Sequence, residues 1–282
     1  MYFMIMFFIT NRKTLLLLYN IRMVKNMIKE ILSSEYHIVK KFVEKDIARN
    51  YFILLGLSSK KQVYDKMYGE YRDDELIAVL FRRNSGVLQF FSSQEFDLDG
   101  FADIISTLKY DSLIGPKSYC GKFLDKGVFT SIKEGAYISK LNRDHKMEPY
   151  EIQHKIRDIT VDDLDKIVEL YKEVFQSFSS KEVMEEKLNS NRGRGVCIEE
   201  DGKIISVAQT DFETEDAAII VGVATNNNYR CKGLATECMQ LLCSTLLKEG
   251  KDLYLQYENL EAGKIYERIG FREIDQVIHC RK

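Results

Sequence analysis

The segment from Ala217 to Gly250 carries the clearest chemistry of the 282-residue chain. Ala217 to Thr225 (AAIIVGVAT) is wholly apolar, as a central strand buried on both faces should be. Asn226 to Tyr229 follows, then Arg230-Cys231-Lys232-Gly233-Leu234-Ala235, then a helical stripe of Leu234, Cys238, Leu241, Leu242 and Thr245. Lys248 falls in the last turn of that helix and Gly250 just past its end. A buried strand thus passes through a basic, glycine-containing turn into a helix N-terminus. Unpaired N–H groups and the helix dipole favour a phosphate or pyrophosphate there. Gly233 allows a close backbone approach, and Arg230 and Lys232 add positive charge. Neither G-x-x-x-x-G-K-[ST] nor G-x-G-x-x-G is present, which excludes the P-loop and the dinucleotide fingerprint. A basic residue and a glycine at an ordinary strand-to-helix turn would read the same, so this segment alone leaves both interpretations open.

The residues downstream add a second pattern. Lys251 to Tyr257 (KDLYLQY) reads as a strand and Glu258-Asn259 as a turn. Ala262 to Ile269 (AGKIYERI) reads as a helix that ends in Gly270-Phe271. This ordered set resembles the GNAT superfamily of acetyltransferases. Arg230, Gly233 and Ala235 match that family's R/Q-x-x-G-x-G/A loop. Asn259, Tyr266, Gly270 and Phe271 match its Asn after the fifth strand, its helical Tyr and its Gly-Phe pair. By these motifs the resemblance covers about Ile156 to the C-terminus.

The resemblance implies a role for each matched position. Backbone groups of Val223 and Thr225 would pair with the pantetheine arm of acetyl-CoA as though it were an added strand. Arg230 belongs to the matched loop, and the N–H groups of Cys231, Lys232, Gly233, Leu234, Ala235 and Thr236 would hold the pyrophosphate. Asn259 would bind the pantetheine or a neighbouring water. Tyr266 would protonate the departing thiolate; a core tyrosine at that position would look the same in sequence. Direct transfer needs a neutral amine, an oxyanion held by backbone N–H groups and an acid near the sulfur. The implied activity is acetyl-CoA-dependent N-acetyl transfer to a primary amine of a small molecule or an amino terminus. The alternatives are acyl or aminoacyl transfer on the same fold, a non-catalytic acyl-CoA-binding regulatory module, and a purely structural pair of domains. Acetyl-CoA enters as co-substrate, and no metal is expected.

Some features depart from the family pattern. Ala217 to Thr225 contains no Asp, Glu or His, although the family often places its general base on or near that strand. The nearest acids are Asp211, Glu213, Glu215 and Asp216 before it and Glu258 after the next strand, and all are expected to be solvated turn residues. Cys231 has no His neighbour and occupies a variable position of the loop, so it reads as incidental. Only Arg272 to Lys282 follows Phe271, which is short for the two strands that usually close the family's fold.

Other elements must position these residues. Ile156 to Ile159 reads as a strand, and Thr160 with Asp163 forms a capping-box pattern ahead of a stripe of Leu164, Ile167, Val168, Tyr171 and Val174. Ser179 with Glu182 opens a second helix running to about Leu188. Asn191 to Gly195 is a loop. Val196 to Glu199 and Ile204 to Phe212 are strands joined at Asp201-Gly202. Asn142 to Lys155 is polar, and the domain boundary is placed there, giving domains at 27–145 and 152–282. In the first half, Ile28 to about Leu57 reads as helical. Val63 to Arg72, Leu76 to Phe81 and Val87 to Phe91 form an antiparallel meander. Phe101 to Leu108 is a helix, Leu113-Ile114 a short strand, and Val128 to Ile138 a further strand. Asp46 to Phe52 (DIARNYF) resembles the opening helices of two-domain GNAT members with a degenerate N-terminal half. No phosphate-cradling loop occurs between Ile28 and Lys140, so one cofactor site is expected, with the first domain forming one wall of the acceptor pocket. The expected fold class is α/β (an α+β mixed sheet), a C-terminal GNAT acyl-CoA transferase fold preceded by a smaller GNAT-like domain.

Composition sets outer limits. Hydrophobic residues at 45% and charged residues at 30% suit a folded globular chain and exclude a disordered or fibrous one. Lys+Arg 41 against Asp+Glu 43 gives no basic field for nucleic acid or an anionic membrane. The six Cys lack C-x-x-C spacing and suggest a reduced, cytoplasmic protein; the four His show no ligand spacing. Residues 1–26 form an apolar arm whose runs, Met1 to Ile9 and Leu15 to Tyr19, fall short of a spanning helix and fit a signal peptide badly. Met23 and Met27 begin a better-behaved segment and offer an alternative start; otherwise such an arm would pack on the folded body or on a second copy of the chain, making a homodimer a candidate assembly.

Overall fold

The computed structural model describes residues 27–59 and 61–282; the expected arm at residues 1–26 lies outside them. Its first half comprises β1 (Met27–Glu30), α1 (Tyr36–Val43), α2 (Ile47–Leu57), β2 (Tyr64–Arg72), β3 (Glu75–Arg83), β4 (Val87–Ser92), α3 (Leu98–Thr107), β5 (Ser112–Pro116), a single turn α4 (Lys117–Cys120) and β6 (Ser131–Leu141). The second half comprises β7 (Ile156–Asp158), α5 (Leu164–Val174), α6 (Lys181–Asn189), β8 (Gly195–Glu200), β9 (Lys203–Glu213), β10 (Ala217–Thr225), α7 (Leu234–Lys248), β11 (Asp252–Tyr257), α8 (Leu260–Ile269) and β12 (Arg272–Arg281).

Strand periodicity builds a sheet covered on both faces. On β3, Val79 and Phe81 join the core under α1 and α2, while Ala78 and Leu80 join the core under α3. On β10, Ala217 and Ile219 face α2, while Ala218 and Ile220 face α7 and α8. This alternation is the period-two rule of a strand buried on both sides. Hairpins follow their turn chemistry. Asp73-Asp74 and Asp201-Gly202 both take left-handed backbone, which suits the twist of the strands they join. The Thr160–Asp163 capping box forms as the spacing predicts, with the Thr160 N–H donating to the Asp163 carboxylate at 2.8 Å.

The twelve strands of the described residues lie in one mixed sheet, in the order β1-β2-β3-β4-β5-β12-β6-β11-β10-β9-β8-β7. The two halves repeat one plan. β2-β3-β4 and β8-β9-β10 are antiparallel meanders, and each is followed by a parallel step, β4 to β5 and β10 to β11, that brackets a helix. The halves then exchange their last strands. β6 pairs with β11 of the second half, β12 pairs with β5 of the first, and β6 and β12 pair antiparallel with each other. The exchange covers β5 and β11, each of which would otherwise be an open edge of its half.

Two sequence expectations are corrected here. The second half is not short of strands: β12 supplies one and β6, from before the boundary, supplies the other. The helical reading from Ile28 also fails at its start. Met27–Glu30 is an edge strand that pairs with Tyr68–Tyr71, and Ile28 packs against the α3 core. Helical spacing of apolar residues cannot reveal that a neighbouring strand offers an unpaired edge.

α2 ties the halves together. Ala48 packs on Ile138 and Val277 at the exchanged strands, and its carbonyl accepts from Gln256 Nε2 at 3.0 Å. Arg49 donates to Asp275 at 2.7 Å and to the Ile274 carbonyl at 3.1 Å. The Tyr51 hydroxyl donates to Asp211 on β9 at 2.5 Å.

Candidate active site

A gap opens in the sheet between β10 and β11. Their parallel pairing runs from Ala217–Asp252 to Ile220–Leu255 and stops there. β10 continues to Thr225 and β11 to Tyr257 without pairing to each other. The burial of β10 changes at the same point: Ala217 to Ile220 are buried, whereas Val221, Gly222 and Val223 are half-buried. The expectation of a strand buried along its whole length therefore holds only for its first part. On the β9 side, Gly222 and Val223 fall in an irregularity between the pairs Val221–Gln209 and Ala224–Val207. Gly222 has φ +61°. An isolated glycine inside an apolar strand is the sequence sign of such a bulge. Val223 and Thr225 both lie along the open stretch. The Thr225 carbonyl also accepts from Arg230 Nε at 3.4 Å.

The turn after β10 leads directly to the start of α7. Asn226 caps it by accepting from the Asn228 N–H, and its amide donates to Glu173 on α5 at 2.7 Å. Cys231 and Gly233 take left-handed backbone, at φ +60° and +83°, on either side of Lys232. Gly233 is the N-cap of α7 and has no side chain to satisfy the first turn. Among the described residues, no hydrogen bond reaches the N–H groups of Leu234, Ala235 or Thr236; the first bond within the helix runs from the Glu237 N–H to the Gly233 carbonyl at 3.0 Å. Arg230 and Lys232 join no ion pair among the described residues, and the Lys232 ammonium lies 4.9 Å from the centre of the Tyr229 ring. Three free donors, a helix dipole and two unpaired cations form a site for an anion. The Glu237 carboxylate does not compete for it: it is buried and held by the backbone N–H and Nδ1 of His154, each at 3.0 Å.

The linker forms part of this surface. It places Tyr150 over the turn, its hydroxyl 3.3 Å from the position a Cβ on Gly233 would take. At its other end, the His145 ring lies against Gly270, where a Cβ would have no room.

On the far side of the gap, Asn259 is the N-cap of α8. Its Oδ1 accepts from the Glu261 N–H at 2.9 Å and the Ala262 N–H at 3.4 Å. A structural duty thus accounts for its carbonyl, while the side chain is exposed at the end of β11. Tyr266 is 8% exposed, with its ring centre 5.4 Å from that of Tyr257 and 6.2 Å from that of Phe271. No hydrogen bond engages its hydroxyl among the described residues. Burial pushes its pKa up to about 12, so the proton stays on the phenol at neutral pH. Gly263, one turn before it, admits the Tyr257 ring; a Cβ there would lie 2.5 Å from that ring.

The acids near β10 differ from expectation. Asp211 is buried rather than solvated, and bound by Tyr51 and by Lys187 of α6, at 2.5 and 3.2 Å. Glu213 is also withdrawn, paired with Arg194 at 2.8 Å and accepting from the Thr210 hydroxyl at 2.5 Å. Asp216 and Glu215 are exposed, as is Glu258. The burial of Asp211 depends on partners from α2 and α6, which local sequence does not reveal. Among its described residues the first half has no equivalent of the α7 site. Its corresponding helix, α3, is capped by Asp97, whose carboxylate takes the Gly100 N–H at 2.9 Å, and Asp99 adds a second negative charge to the first turn.

Residues 126–278 match the model of the GNAT acetyltransferase family, more than half of the chain. The chain belongs to the GNAT acetyltransferase family. The match begins upstream of Ile156, where the motif resemblance starts, and takes in β6, the strand that completes the sheet beside β11. The fold is similar to that of a GNAT-family acetyltransferase from Colwellia psychrerythraea, with TM-score 0.66, 12% identity, and coverage of 90% of this chain and 99% of that one. It is also similar to a GCN5-related N-acetyltransferase from Sphaerobacter thermophilus, with TM-score 0.60, 13% identity, and coverage of 91% and 95%. A tandem GNAT protein from the clavulanic acid biosynthesis pathway aligns with TM-score 0.59 at 10% identity, covering 91% and 98%. At these identities the similarity concerns the fold. A search of curated proteins finds no match. The GNAT family transfers acyl groups from acyl-CoA, and this chain is accordingly an acyltransferase. Among the described residues, no cluster of His, Cys, Asp and Glu could hold a metal, and no helix is long and apolar enough to cross a membrane.

Proposed function

We propose that this GNAT protein transfers an acetyl group from acetyl-CoA directly to a primary amine of a small molecule or an amino terminus. The observation that carries the proposal is the continuity of the open β10 edge with the free N–H groups at the start of α7. An extended pantetheine arm fits the first as an added strand, and a pyrophosphate fits the second. Val223 and Thr225 would pair with the arm. Arg230, Lys232 and the N–H groups from Cys231 to Thr236 would hold the phosphates. Tyr266 keeps its proton, and among the described residues no hydrogen bond engages its hydroxyl, which suits it to protonating a thiolate; Asn259 retains an amide N–H for the pantetheine or a water. Asp211 and Glu213 are tied into ion pairs, so the proton of the attacking amine would leave to water or to the exposed Glu258 at the end of β11. Six free cysteines support placing the protein in the cytoplasm.

The test is mass spectrometry of ligand co-purified with the full chain, followed by an amine panel read by thiol release. Copurified coenzyme A together with amine-dependent thiol release is the expected result. Thiol release independent of every amine, or no coenzyme binding at millimolar concentration, would overturn the proposal.

A further inference from the structure

Tyr171 on α5 is buried, and its hydroxyl is fully used. It donates to the Gly222 carbonyl at 2.8 Å and accepts from Gln209 Nε2 at 2.6 Å. Phe175 and Phe178 brace the ring edge-on, with ring centres at 5.1 and 5.5 Å. Carbonyls of a regular strand point within the sheet toward neighbouring strands. Gly222 instead directs its carbonyl to a helix side chain, at a residue that is in register with neither β9 nor β11. Its backbone at φ +61° and its missing Cβ are both required, because a Cβ there would lie 2.0 Å from the Tyr171 hydroxyl oxygen. In a trans peptide the C=O and the following N–H point in opposite directions. The bond that holds the Gly222 carbonyl against α5 therefore turns the Val223 N–H away from α5, at the open end of the β10–β11 gap.

In acyl transfer, negative charge grows on the carbonyl oxygen, and a donor fixed in advance stabilises it without reorganising. We propose that Tyr171 is a positioning residue for this chemistry: by fixing the Gly222 carbonyl it sets the Val223 N–H as the donor to the acyl oxygen, within the acyl-CoA site proposed above. Gln209 orients the hydroxyl so that its proton points to Gly222. The arrangement joins α5 to the reacting centre without placing any side chain of α5 on the substrate.

The test is Tyr171→Phe in the full chain. Turnover should fall about tenfold to a hundredfold, less than loss of a whole oxyanion donor. The dissociation constant of acetyl-CoA should change by less than about threefold, because the interaction matures in the transition state. Infrared spectra of bound carbonyl-13C acetyl-CoA supply a readout that packing alone would not move: the carbonyl stretch should lie at lower frequency in the unaltered protein, and the variant should lose that shift. Gln209→Leu keeps the Tyr171–Gly222 bond but frees the hydroxyl to rotate, and should lose part of the shift; it carries the test if Tyr171→Phe does not fold. A carbonyl shift that survives both substitutions, or unchanged turnover per folded molecule, overturns the assignment of Tyr171 alone. Absence of acetyl-CoA binding by the unaltered protein overturns the functional proposal and this inference together.

Discussion

Tyr266 is held by packing against Tyr257 and Phe271 and not by hydrogen bonds, so its hydroxyl can be removed with little effect on the core. Tyr266→Phe should lower turnover by about 10²–10⁴, the range for a lost general acid, and leave acetyl-CoA affinity unchanged. Steady-state thiol release, measured beside the melting temperature, separates these effects; normal turnover in the variant would assign the proton to water or to another group. The same phenol makes an alkaline prediction. Its pKa is raised from the usual 10 to about 12, so the stability it contributes is complete below pH 10 and lost as pH rises toward 12. The Phe variant should show a shallower alkaline loss of stability, by about 3 kcal/mol at most. Gly233 answers to different physics. At φ +83° with Tyr150 overhead, Gly233→Val adds backbone strain of about 1–2 kcal/mol as well as a branch over the helix N-terminus. Calorimetric titration should show acetyl-CoA affinity reduced at least about tenfold, with a melting temperature lowered by a few degrees. Unchanged affinity would place the phosphates elsewhere. A variant that spares the fold entirely is not expected, because the left-handed backbone at Gly233 disfavours a branched side chain.

Among the elements, α3 and α7 occupy corresponding places in the two halves but have opposite starts. α7 begins at a glycine with free N–H groups and two cations. α3 begins at Asp97, with its cap bond already made and Asp99 beside it. A carboxylate at a helix N-terminus takes the place that an anionic ligand would need. Coenzyme should therefore bind with one equivalent per chain. A calorimetric end point near two would show that the first half retains a site in spite of its acidic cap.

For the whole molecule, the exchange of β6 and β12 makes each half incomplete without the other. A fragment of residues 152–282 would lack β6 between β11 and β12, and would lack α2 over Ala217 and Ile219. It would expose the β11 edge, both edges of β12 and an apolar sheet face, all of which promote aggregation. This fragment should be insoluble or unfolded by circular dichroism, and co-expression with residues 27–145 should restore a soluble complex. A monodisperse, folded 152–282 fragment would show that the exchanged strand is dispensable. Coenzyme binding is accordingly best measured on the full chain and not on the second half alone.

The sequence by itself determined what contiguous residues specify. The apolar run Ala217 to Thr225, the turn Arg230 to Ala235, the helix carrying Tyr266 and the Thr160–Asp163 cap are each written within one short stretch, because turn chemistry, caps and periodicity act over a few residues. Those stretches carry the family and most of the candidate site. Tertiary structure decided the rest. Asp211 is a solvated acid by its neighbours in sequence and a buried one by Tyr51, 160 residues away. β6 belongs by chain order to the first half and by hydrogen bonding to the second. Strand partners are chosen by which edges remain open once the chain has collapsed, and that choice compares segments far apart in sequence, which no local pattern encodes.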